Sequence, residues 1–207
     1  PYTIESDWSG ASYWYEIMAL GSKNEKLKLE GLTDGSKQGD SVVKYLFSLL
    51  GIKTTFGSRK KNGTADVILT RHESIVPRLD YDFINSPDLA QTLVVCCTLM
   101  EIPFHFTGLA SLRIKETDRI DALKTELKKL GYVIKERNDS ELIWDGECCT
   151  PTLEPIDTYE DHRMAMAFAP AAYKFPGIAI NHPKVVTKSY PAFWHDLQSA
   201  GFSIIEK

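Results

Sequence analysis

Five basic residues stand where a helix ordinarily prefers acids. Lys115 and Arg119 fall in the expected first turn of one helix, His162 and Arg163 open another, and Lys188 lies just before a third. A helix N-terminus carries about +0.5 elementary charge, so each placement opposes its own helix by about 0.3–1 kcal/mol. A bound anion reverses that balance, because cationic side chains and backbone N–H donors then share one ligand. Taken singly, each residue is an ordinary solvated or neighbour-paired charge. Lys115 and Arg119 have Glu116 and Asp118 beside them, and Asp88 and Asp161 are acids of the kind that helix starts favour. The case for an anion site therefore rests on whether the chain brings these positions to one place.

Internal repetition supplies a reason to expect that it does. Asp7, Asp88 and Asp161 are followed by Lys37, Lys115 and Lys188 after 30, 27 and 27 residues, and then by Gly51, Gly131 and Gly201. Each glycine follows a helical pattern and precedes a strand pattern, which suits a left-handed residue that ends a helix. The order of elements reads β-α-β-α-β-β three times, over about residues 1–72, 73–150 and 151–207.

In the second unit, Tyr81-Asp82-Phe83 is strand-like, and Ser86 and Pro87 suit an N-cap and first helical position. A strand near Phe104 follows. Ile120, Leu123, Leu127 and Leu130 then recur at helical spacing, and the turn formers Asn138-Asp139-Ser140 separate strands near Tyr132–Ile134 and Leu142–Trp144. The first unit opens at Tyr2-Thr3-Ile4 and ends with Asp66–Leu69. The third starts near Glu154–Thr158, places strands at Ile178–Ile180 and Phe202–Ile204, and stops at Lys207, one strand short. Such a sheet has an unpaired edge, which something outside the chain is expected to fill. If the units are related by rotation, their helix starts face one cleft and their charges converge.

Composition limits the alternatives. The 207 residues are 43% apolar and 25% charged, as in an ordinary globular protein, and the net charge of −4 gives no reason to expect nucleic-acid binding. No apolar run reaches the length of a membrane span. The four cysteines form two adjacent pairs, Cys96-Cys97 and Cys148-Cys149, without the C-x-x-C spacing of a zinc site. They read as reduced thiols of a cytoplasmic protein. Trp144 and Trp194 read as packing residues. The chain begins at Pro1, consistent with a piece of a longer protein.

Two stretches resemble a known family. Leu112-Arg113-Ile114-Lys115-Glu116-Thr117-Asp118-Arg119 is similar to the L-R-x-K-E-S/T-D-R segment of 5-enolpyruvylshikimate-3-phosphate synthases. Tyr159-Glu160-Asp161-His162-Arg163-Met164-Ala165-Met166 resembles their Y-x-D-H-R-M-A-M segment. Asp7–Tyr13, Pro87–Ala90 and Lys188–Pro191 resemble shorter family segments, in the same order along the chain. The resemblance implies an inside-out α/β barrel domain of three such units, completed by a strand from the enzyme's N-terminal segment, with a second domain outside this chain.

The implied reaction joins shikimate 3-phosphate to phosphoenolpyruvate through a tetrahedral intermediate and releases phosphate, with no metal or organic cofactor. By the same resemblance, Asp88 contacts shikimate 3-phosphate and accepts its hydroxyl proton, and Lys115 also binds that substrate. Arg119, Arg163 and Lys188 bind phosphoenolpyruvate. Glu116 takes part in proton transfer at the enol carbon, and His162 is a neighbour with a smaller role. Ser111 stands where many members have Asn, and Trp8 and Gly10 also depart from the pattern.

Much of the family's shikimate 3-phosphate site has no counterpart here, so the chain alone is expected to be inactive without its N-terminal half. UDP-N-acetylglucosamine enolpyruvyl transferases share the fold and the donor, but the two long segments favour the shikimate enzyme. A non-catalytic anion-binding repeat domain is the alternative of a different class, and the unfinished third unit speaks against it.

Overall fold

The computed structural model describes residues 4–22, 25–73 and 76–206. Thirteen named helices and strands follow in chain order: α1 (Trp8–Leu20), β1 (Lys26–Leu32), α2 (Val43–Leu49), β2 (Ile52–Phe56) and β3 (Ala65–Arg71); then β4 (Leu79–Asp82), α3 (Ala90–Leu99), β5 (Phe104–Thr107), α4 (Arg119–Lys129), β6 (Lys135–Arg137) and β7 (Glu141–Trp144); then α5 (His162–Phe168) and α6 (Phe193–Ser199). The strand expected at Tyr2-Thr3-Ile4 begins outside the described residues.

The sheets pair locally. β3 lies between β1 and β2, antiparallel to both. In the second sheet the order is β4-β5-β7-β6, with β4 and β5 parallel and the other pairs antiparallel. The β6–β7 hairpin turns at Asn138 and Asp139, both left-handed with φ 54° and 53°. These are the residue types that tolerate that conformation best after glycine.

Helices occupy the interior and sheets the outside. α3 reads AQTLVVCCTL, apolar on every side, and all ten of its residues are buried, as expected of a helix with no solvent face. It packs against α1, α4 and α5. The strands alternate instead: β3 runs buried then half-buried along its length, and β1 alternates exposed and half-buried positions, so each sheet turns one face inward. α4 buries Ile120, Leu123 and Leu127, and its C-cap residue Leu130 is buried beside them, the stripe the spacing predicts. The glycines that end α2, α4 and α6 adopt φ of 96°, 95° and 102°, where a side chain would be strained. Among the described residues no helix is long and apolar enough to cross a membrane.

Several local expectations fail for identifiable reasons. The strand expected near Tyr132–Ile134 begins later, as β6, and Tyr132 meets Cys148 in a lone bridge. The helix after Pro87 opens as a 3₁₀ turn over Pro87–Leu89, and Ser86 makes no capping bond; its Oγ lies instead 3.4 Å from the Tyr81 hydroxyl. The third segment forms no named strand. Ile156 and Ile180 meet in one parallel bridge. The Phe202 N–H donates to the Leu197 carbonyl at 3.2 Å, which closes α6 and leaves residues 202–204 outside any ladder.

One buried group makes stability depend on pH. Glu16, inside α1, is wholly buried and neither carboxyl oxygen has a hydrogen-bond partner. Burial therefore holds its pKa well above the ordinary 4.5. The groups that sense it are the Cys96 and Cys97 thiols of α3, pushed up first by their own burial and then by Glu16; Arg71 of β3 faces Cys96. The folded state thus holds a proton that the unfolded state releases. This contribution is fully present below the ordinary glutamate value and is lost as pH rises toward the folded one. Urea denaturation should find Glu16→Gln gaining on the parent as pH rises above the ordinary glutamate range, by at most about 1.4 kcal/mol per pH unit. A gap that does not change with pH would mean that Glu16 stays ionised.

Candidate active site

The packing of α3 with α4 and α5 determines where the charged residues go. Asp88 lies in the 3₁₀ turn that leads into α3, Arg119 is the first residue of α4, and His162 and Arg163 are the first two of α5. All of them therefore sit at one end of the helical core. Asp118 caps α4, accepting from the N–H groups of Ile120 and Asp121 at 3.1 and 3.2 Å. That cap starts the helix at Arg119, so Lys115 is not in its first turn. It follows a 3₁₀ segment over Ala110–Ile114 in extended conformation.

Arg119 is the centre of the cluster, with only 1% of its surface exposed. Its Nε donates to Asp161 Oδ2 at 2.6 Å and its Nη2 to Asp161 Oδ1 at 3.3 Å. The Arg119 Nη2 also donates to Glu116 Oε2 at 2.6 Å, and its Nη1 to Asp88 Oδ1 at 3.3 Å. One guanidinium is thus shared by three carboxylates, the fork-like arrangement that arginine permits and lysine does not. Glu116 is the neighbour that the sequence suggests, whereas Asp118 pairs with Arg113 at 2.6 Å.

Asp88 is surrounded by cations. Arg163 Nη2 donates to its Oδ2 at 3.0 Å, and the Lys115 ammonium is 3.7 Å from its Oδ1. Arg163 is steadied on its other side by Tyr13 of α1, whose hydroxyl accepts from Nη1 at 3.4 Å. Burial drives the Tyr13 pKa upward, against the pull of Arg163, so the hydroxyl keeps its proton. Arg163 also lines a groove of about 670 Å³ that runs between α1, β1 and the third segment.

His162 is mostly buried, with Nδ1 lacking a hydrogen-bond partner and 4.0 Å from both Glu116 and Asp161. Burial, with Arg163 beside it, lowers its pKa, so the ring is neutral near pH 7. Burial raises the Glu116 pKa, but its own backbone N–H and Arg119 outweigh that and bring it below the ordinary range. Lys188 stands apart from the ion pairs. It ends a 3₁₀ segment over Pro183–Lys188, and its ammonium donates to the Glu160 carbonyl at 2.7 Å. The structure thus gathers Asp88, Lys115, Glu116, Arg119, His162 and Arg163, and sets Lys188 one residue from Asp161 through that carbonyl.

Three contributors are not evident from the sequence. Asp161 reads as a helix cap, and it is one, accepting from the Arg163 N–H at 2.8 Å. Its completely buried carboxylate is also the bidentate partner of Arg119. Tyr13 gave a signal only through its place in the Asp7–Tyr13 segment. Asp40, three residues after Lys37, accepts from the Ser9 hydroxyl. Burial, aided by the charge of Asp88, raises its pKa.

Helices inside and sheets outside, with a buried arginine–carboxylate cluster at the helix ends, define an inside-out α/β domain. The chain belongs to the EPSP synthase (3-phosphoshikimate 1-carboxyvinyltransferase) family, whose model matches residues 1–197. It is 56% identical to the 3-phosphoshikimate 1-carboxyvinyltransferase of Bacteroides fragilis over 99% of this chain and 48% of that protein. It is 35% identical to the enzyme of the same name from Cellvibrio japonicus, over 92% of this chain and 42% of the relative. A solved EPSP synthase from Acinetobacter baumannii has the same fold, with a TM-score of 0.75 at 22% identity, over 97% of this chain and 47% of that one. The chain spans about half the length of the curated relatives it matches.

Proposed function

We propose that this chain is the C-terminal half of an enzyme that transfers the enolpyruvyl group of phosphoenolpyruvate to the 5-hydroxyl of shikimate 3-phosphate and releases phosphate. The observation that carries the reading is Asp88, one carboxylate held by Arg119, Arg163 and Lys115. Both of its oxygens are engaged by cations in the free chain. Phosphate and carboxylate groups of the two substrates compete with Asp88 for those three cations, and arginine forks match such groups closely. Substrate binding thereby frees Asp88 at the moment the hydroxyl must lose its proton.

The hydroxyl oxygen then forms a bond to C2 of phosphoenolpyruvate while C3 gains a proton, giving the tetrahedral intermediate. The C2–phosphate bond breaks and C3 gives a proton up, which restores the double bond. Glu116, held ionised, suits the second transfer as acceptor. Arg119, Arg163 and Lys188 hold the donor, Lys115 holds the acceptor with Asp88, and His162 remains a neutral neighbour. The segments 1–72, 73–150 and 151–207 act as three versions of one unit, of which the second and third supply these groups at or near their helix starts; the three helix-ending glycines support that division. Four free thiols suit a cytoplasmic enzyme.

The test is phosphate release from phosphoenolpyruvate by this chain mixed with its separately made N-terminal half, each half alone serving as control. Release that needs both halves and shikimate 3-phosphate is the expected result. Release only with UDP-N-acetylglucosamine as acceptor would assign the other enolpyruvyl transfer.

A further inference from the structure

Glu126 is a completely buried carboxylate outside the set of expected ligand contacts. It lies on α4, seven residues after Arg119, two turns along the same face. Its partners explain its burial. Tyr159 Oη donates to Oε1 at 2.6 Å, the Asp157 N–H donates to Oε2 at 3.0 Å, and the Lys129 ammonium lies 2.7 Å from Oε2. Two of these three belong to the segment that runs into Asp161.

That segment is unusual in itself. Tyr159 and Glu160 are consecutive left-handed residues, with φ 53° and 56°, and neither is of a type that favours that region. Such backbone persists where its surroundings fix it from several sides. Here the Asp161 N–H closes a turn on the Thr158 carbonyl at 2.8 Å. Lys129 also reaches the Pro155 carbonyl and Asp157 Oδ2 at 3.0 and 3.2 Å, and Asn181 donates to Asp157 Oδ1 at 2.6 Å. At the far end, Asp161 is tied to Arg119. Both ends of the segment 157–161 are therefore fastened to one helix, α4, by Glu126 at one point and Arg119 at the other. The residues carried by this strap are the Glu160 carbonyl that receives Lys188 and the start of α5 with His162 and Arg163.

We infer that Glu126 is a positioning residue: acting through Tyr159 and Asp157, it holds the left-handed turn that sets Arg163 and Lys188 relative to Arg119. The inference rests on the functional reading above and deepens it, because all three cations so aligned are the ones that reading gives to phosphoenolpyruvate. Glu126 itself touches no substrate. It keeps the three cations spaced for one ligand, and the shikimate 3-phosphate contacts of Lys115 do not depend on it.

The test uses the full-length enzyme with Tyr159→Phe, which removes one hydroxyl and no packing volume of consequence, and with Glu126→Gln and Glu126→Ala. Steady-state phosphate release should show KM for phosphoenolpyruvate raised about tenfold in Tyr159→Phe, in line with the cost of a slightly misplaced binding group. KM for shikimate 3-phosphate should stay within about twofold on the same argument. Glu126→Gln, which keeps one acceptor oxygen, should fall between the parent and Glu126→Ala. Amide hydrogen exchange over residues 157–163 should be faster in each variant than in the parent, and this readout needs no turnover. If the parent releases no phosphate with shikimate 3-phosphate, the functional reading fails and the exchange data alone decide the strap. Unchanged exchange, or equal rises in both KM values, would overturn the positioning role.

Discussion

Replacing Arg119 with methionine is expected to lower the unfolding free energy of the intact protein by about 3–5 kcal/mol, the usual cost of stranding one member of a buried ion pair. Arg119 and Asp161 are essentially without exposed surface, and the pair is joined by two donors of one guanidinium. Without the arginine, the Asp161 carboxylate keeps the Arg163 N–H at the start of α5 but loses its cation in a place where water does not replace it. Glu116 and Asp88 lose the same partner at lower cost, because both remain about one-third exposed. The comparison that isolates the mechanism is the double variant Arg119→Met with Asp161→Asn. It removes both charges and keeps a capping oxygen, so most of the lost stability should return, since a buried pair replaced by neutral groups of similar size is often near neutral. Urea denaturation of the parent, the two single variants and the double variant measures this. A loss below about 1 kcal/mol for Arg119→Met, the range of exposed pairs, would show that the cluster is solvated and would remove the basis for the site's rigidity. Phosphate release should be undetectable in both variants that lack Arg119, whatever the stability outcome.

The parts of this molecule that were legible in the sequence are those fixed by local physics. Gly51, Gly131 and Gly201 end their helices because a left-handed residue must follow the last turn, and glycine does so without strain. The buried face of α4 follows from the spacing of four apolar residues, and the all-round burial of α3 from the absence of any polar face. Ser86 and Pro87 stand at the cap and first position as their types suggest, but the turn is 3₁₀ and lacks the capping bond, and Lys115 falls four residues before its helix, because 3₁₀ turns at helix entrances leave little trace in residue type. The third segment read as strands from its place in the repeat, yet a ladder also requires backbone partners, and one bridge is what these residues provide. In the candidate site the positions were legible and the pairings were not. Arg119 and Asp161 are 42 residues apart, and a caps-first reading of Asp161 accounts for it fully until tertiary packing brings a guanidinium to it. The same holds for Tyr13, whose contact with Arg163 spans 150 residues.

Arg163→Ala is the variant expected to separate the two substrates most sharply. Arg163 is held between Asp88 at 3.0 Å and the Tyr13 hydroxyl at 3.4 Å, with 14% of its side chain exposed. It is thus pre-set and partly desolvated, and a ligand that takes it does not have to order a free side chain. Truncating one partner of a buried, hydrogen-bonded charge pair costs about 2–5 kcal/mol. KM for phosphoenolpyruvate in the full-length enzyme should therefore rise by about two orders of magnitude or more. KM for shikimate 3-phosphate should move by no more than a few-fold, because Lys115 and Asp88 remain in place and Arg119 still holds Asp88 at 3.3 Å. Arg163→Lys should rescue little, since an ammonium cannot reach Asp88 and Tyr13 together as the two arms of the guanidinium do. Initial rates over a grid of both substrate concentrations give the two constants from one data set. Equal rises in both would mean that Arg163 supports the architecture of the whole cleft rather than one ligand, and the assignment of Arg163 to phosphoenolpyruvate would fall.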